Sequence, residues 1–89
     1  MKMLSLGAGN MVASDRIVCI VSPDTAPVKR LVQDAKEDGR VIDVTGGKKT
    51  LSVIVMDSDH VILSKIRPPK LRQAINTSDD TLIEDEEDE

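Results

Sequence analysis

The feature that most constrains this 89-residue chain is an absence: it contains no Phe, Tyr or Trp. An aromatic side chain buries about 150–250 Å², so an interior without one must be assembled from many smaller aliphatic pieces. The length suits one small domain, and a core of that size supplies only roughly 3–5 kcal/mol. The usual supplements are closed off. The single cysteine, Cys19, cannot form an intrachain disulfide, and one His with one Cys is a poor ligand set for a structural metal. Association of protomers is the remaining route to stability, so the sequence predicts a homo-oligomer.

Hydropathy patterning predicts an α+β domain over residues 1–76. It reads as a small antiparallel β-sheet with one main helix and a short C-terminal helix. Strand-like segments fall at 3–6, 11–13, 16–22, 41–45, 50–56 and 60–66. Gly7-Ala8-Gly9-Asn10 separates the first two, because glycine and asparagine tolerate positive φ. The run Ile17-Val18-Cys19-Ile20-Val21 is apolar at every position, which predicts a central strand covered on both faces, with Cys19 a reduced core thiol. Asp24 or Thr25 can cap a helix whose first turn accepts Pro27. Val28, Leu31, Val32 and Ala35 then share one helical face, and Gly39 terminates it. Gly46-Gly47-Lys48-Lys49 is predicted to join the next two strands as a hairpin loop. Pro68-Pro69 opens the short helix, with Leu71, Ala74 and Ile75 on one side. A sheet this small leaves edges that need covering or pairing, a second reason to expect association.

Net charge, −4 overall, is misleading here. All twelve Lys and Arg precede residue 77, against eight carboxylates, so the body carries +4. The other eight carboxylates crowd residues 77–89, which hold only Leu82 and Ile83 as large apolar residues. A segment of that composition cannot offset its ordering entropy, so 77–89 is predicted to be a disordered acidic tail. No apolar run approaches the ~20 residues of a membrane span, and the N-terminal stretch is too short for a signal-peptide core. With the unpaired cysteine, this leads to an expected cytoplasmic location.

The candidate functional residues are basic. Lys48 and Lys49 sit on a loop whose glycines can bring backbone N–H groups close to a phosphate; a plain solvated turn would look the same. Arg16, opening the third strand, either anchors Asp15 or reaches a partner's phosphate. Lys29, Arg30, Lys65, Arg67, Lys70 and Arg72 add positive charge elsewhere. Modules that read single strands stack bases on aromatics at about 1–3 kcal/mol per base; with none here, any nucleic-acid partner would be a duplex, held mostly through phosphates. Asp57-Ser58-Asp59-His60 matches no metal-ligand spacing and reads as a turn with a hydrogen-bonded histidine. Gly7-Ala8-Gly9-Asn10 lacks the third glycine and following helix of a dinucleotide site. With neither a nucleophile–base pair nor a P-loop, the sequence predicts no enzyme, no cofactor, no metal and no small-molecule substrate.

Four stretches together resemble the RemA family of bacterial regulators of extracellular-matrix genes. They are Gly7-Ala8-Gly9-Asn10; Arg16-Ile17 running into Val21-Ser22-Pro23-Asp24-Thr25-Ala26-Pro27-Val28-Lys29-Arg30; Ile42-Asp43-Val44-Thr45 with its basic loop; and Asp57-Ser58-Asp59-His60-Val61-Ile62-Leu63-Ser64. The resemblance covers residues 3–75. It implies a transcriptional regulator of matrix or biofilm genes that binds double-stranded DNA as a ring-like homo-oligomer. It also implies Arg16, Lys48 and Lys49 as the DNA-binding residues. Two departures stand out. The family's hairpin pair is often arginine, and lysine keeps the charge without the bidentate fork. The family's Gly-aromatic-Gly-Asn pattern has Ala8 here. The alternative is an oligomeric scaffold or protein-interaction module without nucleic-acid binding.

Overall fold

The computed structural model describes residues 2–76, so the predicted tail and its boundary lie outside the described residues. Six strands and two helices are arranged in the order β1 (Met3–Gly7), β2 (Asn10–Ala13), β3 (Ile17–Val21), α1 (Ala26–Glu37), β4 (Val41–Asp43), β5 (Ser52–Met56), β6 (Val61–Ser64) and α2 (Pro68–Asn76). The fold is α+β. β1 and β2 form an antiparallel hairpin, turned by Gly7, Ala8 and Gly9, all with positive φ, while the Asn10 side chain donates to the Gly7 carbonyl at 3.1 Å.

The main sheet has the order β3-β5-β6-β4, and three expectations change with it. First, the sheet is mixed: β3–β5 and β5–β6 are antiparallel, but β4 runs parallel to β6. Secondly, Gly46-Gly47-Lys48-Lys49 closes no hairpin. β4 and β5 lie on opposite sides of β6, and residues 44–51 cross the end of β6 between them. Thirdly, β3 is an edge strand, not a central one. Its register slips between Ile17 and Cys19, Val18 is 64 % exposed, and Cys19 is exposed rather than a core thiol. An uninterrupted apolar run suits a strand buried on both faces, but the hairpin β5–β6 takes the centre of the sheet and excludes β3 from it.

Period-two alternation on β5 and β6 builds two cores. Ile54 and Ile62 face the hairpin and α2, packing with Leu4, Leu6, Ile66 and Leu71. Val53, Val61 and Leu63 face α1, packing with Ala35 and the flanking Val28, Leu31 and Val32. The helical face read from spacing is therefore the one buried. Thr25 is the N-cap of α1 by position but makes no side-chain capping bond; Pro27 lies in the first turn as expected. At the other end Gly39 (φ 72°) donates to Lys36 and Arg40 donates to Ala35, closing a Schellman motif. Two buried serines turn the chain from β6 into α2: Ser52 Oγ donates to the Ile66 carbonyl, and Ser64 Oγ accepts from Ile66 N–H at 3.1 Å. These bonds satisfy backbone groups that burial would otherwise strand.

Candidate nucleic-acid interface

The strand directions fix where the basic residues go. One end of the main sheet holds the start of β5 and the ends of β4 and β6. Lys48 and Lys49 enter there, both exposed, on a loop where Gly46 (φ 66°) and Gly47 (φ 86°) occupy the left-handed region. A side chain with a Cβ would be strained in that region; glycine is not. The loop is fastened just before the glycines. Thr45, buried, donates through its N–H (2.9 Å) and hydroxyl (2.7 Å) to Asp43 Oδ1, and its carbonyl accepts from Lys48 N–H at 3.2 Å. The hydroxyl bond, then the backbone bond, holds the Asp43 carboxyl below the usual carboxylate range. Leu51 N–H donates to the Ser64 carbonyl at 2.8 Å, which brings Lys65, next in the chain, to the same end as Lys49. Among the described residues Lys48, Lys49 and Lys65 make no ion pair.

Arg16 lies at the opposite end of the sheet and on its opposite edge. Its carbonyl accepts from Asp57 N–H at 2.9 Å, and its guanidinium meets Asp57 Oδ2 at 3.3 Å. The sequence left Asp15 as the candidate partner; the β5–β6 turn supplies Asp57 instead. Both groups remain open to water, with side chains 65 % and 48 % exposed, so the pair is a weak tether. This end is electrically mixed. Arg40 pairs with Asp38 at 3.0 Å and donates to the Asp59 carbonyl at 2.7 Å, while Ser58 Oγ and His60 Nδ1 are 2.8 Å apart. His60, expected as a hydrogen-bonded residue opening a strand, is hydrogen-bonded just ahead of β6. No group of three potential metal ligands forms among the described residues.

The three residues singled out from the sequence are thus not one cluster. Lys48 and Lys49 stand together; Arg16 occupies the diagonally opposite corner, on the order of 20 Å away from strand rise and spacing. Lys65 is the neighbour that sequence separation concealed. Its signal was the pairing of the β5 and β6 ends, which only a correct β5–β6 register reveals.

Comparison with known proteins decides the lineage. The family model described as RemA-like, extracellular matrix regulatory protein A-like, matches residues 3–75. The chain belongs to the RemA-like family. A relative from Geobacillus kaustophilus is 52 % identical over 80 residues, covering 90 % of this chain and 92 % of the relative. One from Clostridium perfringens is 44 % identical over 86 residues, 97 % of each chain, and one from Acetivibrio thermocellus is 44 % identical over 90 residues, covering 99 % and 97 %. All three bear the designation "Putative regulatory protein". This RemA-like chain is thus similar to proteins designated as regulatory. Among the described residues no helix is long and apolar enough to cross a membrane.

Proposed function

We propose that this RemA-like protein is a cytoplasmic transcriptional regulator of extracellular-matrix or biofilm genes that binds duplex DNA as a ring-like homo-oligomer. The observation that carries the reading is the corner formed by Lys48, Lys49 and Lys65: three cations without an ion pair among the described residues, beside a loop held by Thr45 and Asp43. Such cations break no ion pair when they turn toward phosphates, and each phosphate neutralised releases counterions. Arg16 is the second contact, available once it exchanges Asp57 for a phosphate. Because these corners are apart in one protomer, repetition by symmetry would lay several copies of each along a duplex, and shared attachment would turn weak contacts into avid binding.

An electrophoretic mobility assay over a salt series tests this. The expected result is a log–log slope of about −0.9 for each phosphate neutralised, with light scattering showing an oligomer. A flat salt response, or a stable monomer, would favour the scaffold reading or overturn the assembly.

A further inference from the structure

The main sheet ends in two strands that have no outer neighbour among the described residues, β3 on one side and β4 on the other. An open edge is a template for association with another chain. Each edge carries an exposed aliphatic residue, Val18 on β3 and Ile42, 44 % exposed, on β4. The edges differ in shape. Beside β3 lies a groove of about 350 Å³, lined by Ile17, Cys19 and Ile20 from the strand and by the opening prolines, Arg72 and Ile75 from α2. The β4 edge is three residues long, with Ile42 at its middle.

They also differ in charge. From Arg67 through α2 the chain holds Arg67, Lys70 and Arg72 and no carboxylate. The end of α1 through β4, residues 33–45, holds Asp34, Glu37, Asp38 and Asp43 against Lys36 and Arg40, and Arg40 is already paired with Asp38. A two-fold contact of either edge with itself sets like charges face to face, whereas joining one edge to the other sets unlike charges together. The unlike joint also covers both edges with a single kind of interface. Head-to-tail contacts of that kind generate rings when their rotation closes.

Strand register shows which residues meet. β3 and β4 run in the same direction, since β3 and β6 are each antiparallel to β5 and β4 is parallel to β6. Ile20, Ile54, Ile62 and Ile42 are successive register partners, one row across all four strands on the face toward α2. A closed ring has no rise from copy to copy. About an axis parallel to the strands, the row of one protomer therefore meets the row of the next at the same level. We propose that a second copy of this chain occupies the groove: the β4 edge of one protomer abuts β3 of the next, and Ile42 seats beside Ile20 between β3 and α2. This contact rests on the ring assembly of the proposed function and is independent of DNA binding. It leaves Lys48 and Lys49 exposed.

Cys19, a groove residue and the single thiol, makes the contact testable. The variant Ile42→Cys adds a second thiol at the opposite edge, at an exposed position that the fold tolerates. Within one protomer the two thiols are three strand spacings apart, about 14 Å, beyond the roughly 7 Å between Cα atoms that a disulfide spans. Any bond between them therefore joins two chains. The full-length protein is oxidised with diamide, which accepts the two electrons and two protons released, and is run on a denaturing gel without reductant. Ile42→Cys is expected to give a ladder of covalent trimers and larger species, because each chain is linked to two neighbours. The parent, with one thiol, stops at dimer. Met11→Cys, equally exposed at 44 % but on the β1–β2 hairpin, is the collision control and should yield no trimer. Two outcomes overturn the contact and leave the assembly standing: a matching ladder from Met11→Cys, or nothing above dimer from Ile42→Cys while light scattering shows the oligomer. A monomer by light scattering overturns the assembly itself, and this contact with it.

Discussion

The two ends of the four-stranded sheet carry similar numbers of cations and opposite electrostatic arrangements. At the Lys48 end, lysines stand at a glycine loop with no carboxylate among the described residues engaging them. At the Arg16 end, each arginine already has a carboxylate partner, Asp57 for Arg16 and Asp38 for Arg40. The contrast teaches that counting basic residues misjudges a binding surface. What matters is how many of those charges the fold leaves uncommitted, because a carboxylate already beside an arginine offsets its attraction for a second anion.

The sharpest way to break this comparison is to remove the uncommitted charge. Lys48→Ala with Lys49→Ala should lower duplex affinity about 100-fold at moderate salt and flatten the salt slope, since the loss recurs in every subunit. Fluorescence anisotropy across a salt series reads both, and light scattering should show the assembly intact. Arg16→Ala should cost less, about tenfold, because its contact competes with Asp57. If Arg16→Ala proves the more damaging change, the ranking of the two ends is wrong.

Asp57→Asn tests the same idea with the opposite sign. Freeing Arg16 from its carboxylate and removing one negative charge should raise affinity a few-fold, on the order of 1 kcal/mol or less. An unchanged Kd would mean that Arg16 does not meet DNA.

The smallest effect concerns the fastening of the Lys48 loop. The Asp43 carboxyl sits below its ordinary range because Thr45 donates to it twice. A carboxylate with a depressed folded-state pKa contributes stability that is fully present above its unfolded value of about 3.9, and that contribution is lost as pH falls through the lower folded-state value. Asp43→Asn should therefore be less stable than the parent at pH 7, and the gap should narrow below about pH 4. Urea melts at both pH values check this; a gap that is constant with pH would assign Asp43 no electrostatic part.

Much of the fold is legible locally. The α1 face of Val28, Leu31, Val32 and Ala35, its Gly39 terminus, the Gly7–Asn10 turn and the α2 face of Leu71, Ala74 and Ile75 can all be read from spacing and backbone permissiveness. These signals are local because helix periodicity and positive φ are properties of a few consecutive residues. Strand neighbours are not local. The run Ile17–Val21 has the composition of a central strand, but composition records only that its residues are apolar, not which other strand outcompetes it for the middle. The Gly46–Lys49 loop has hairpin composition, but nothing in it reveals that β6, read later in the chain, inserts between its two flanks.

By itself the sequence determined the fold class, the helices and the faces they pack inward, and the family. Tertiary structure alone decided that β4 runs parallel to β6, that Cys19 is exposed, that Lys65 lies at the same end of the sheet as the lysine pair, and that Arg16 stands at the far corner beside Asp57. The physical reason is that side-chain periodicity and turn chemistry are set within a few residues. The order of strands depends on which pairings bury the most apolar surface together, a comparison made across the whole chain at once.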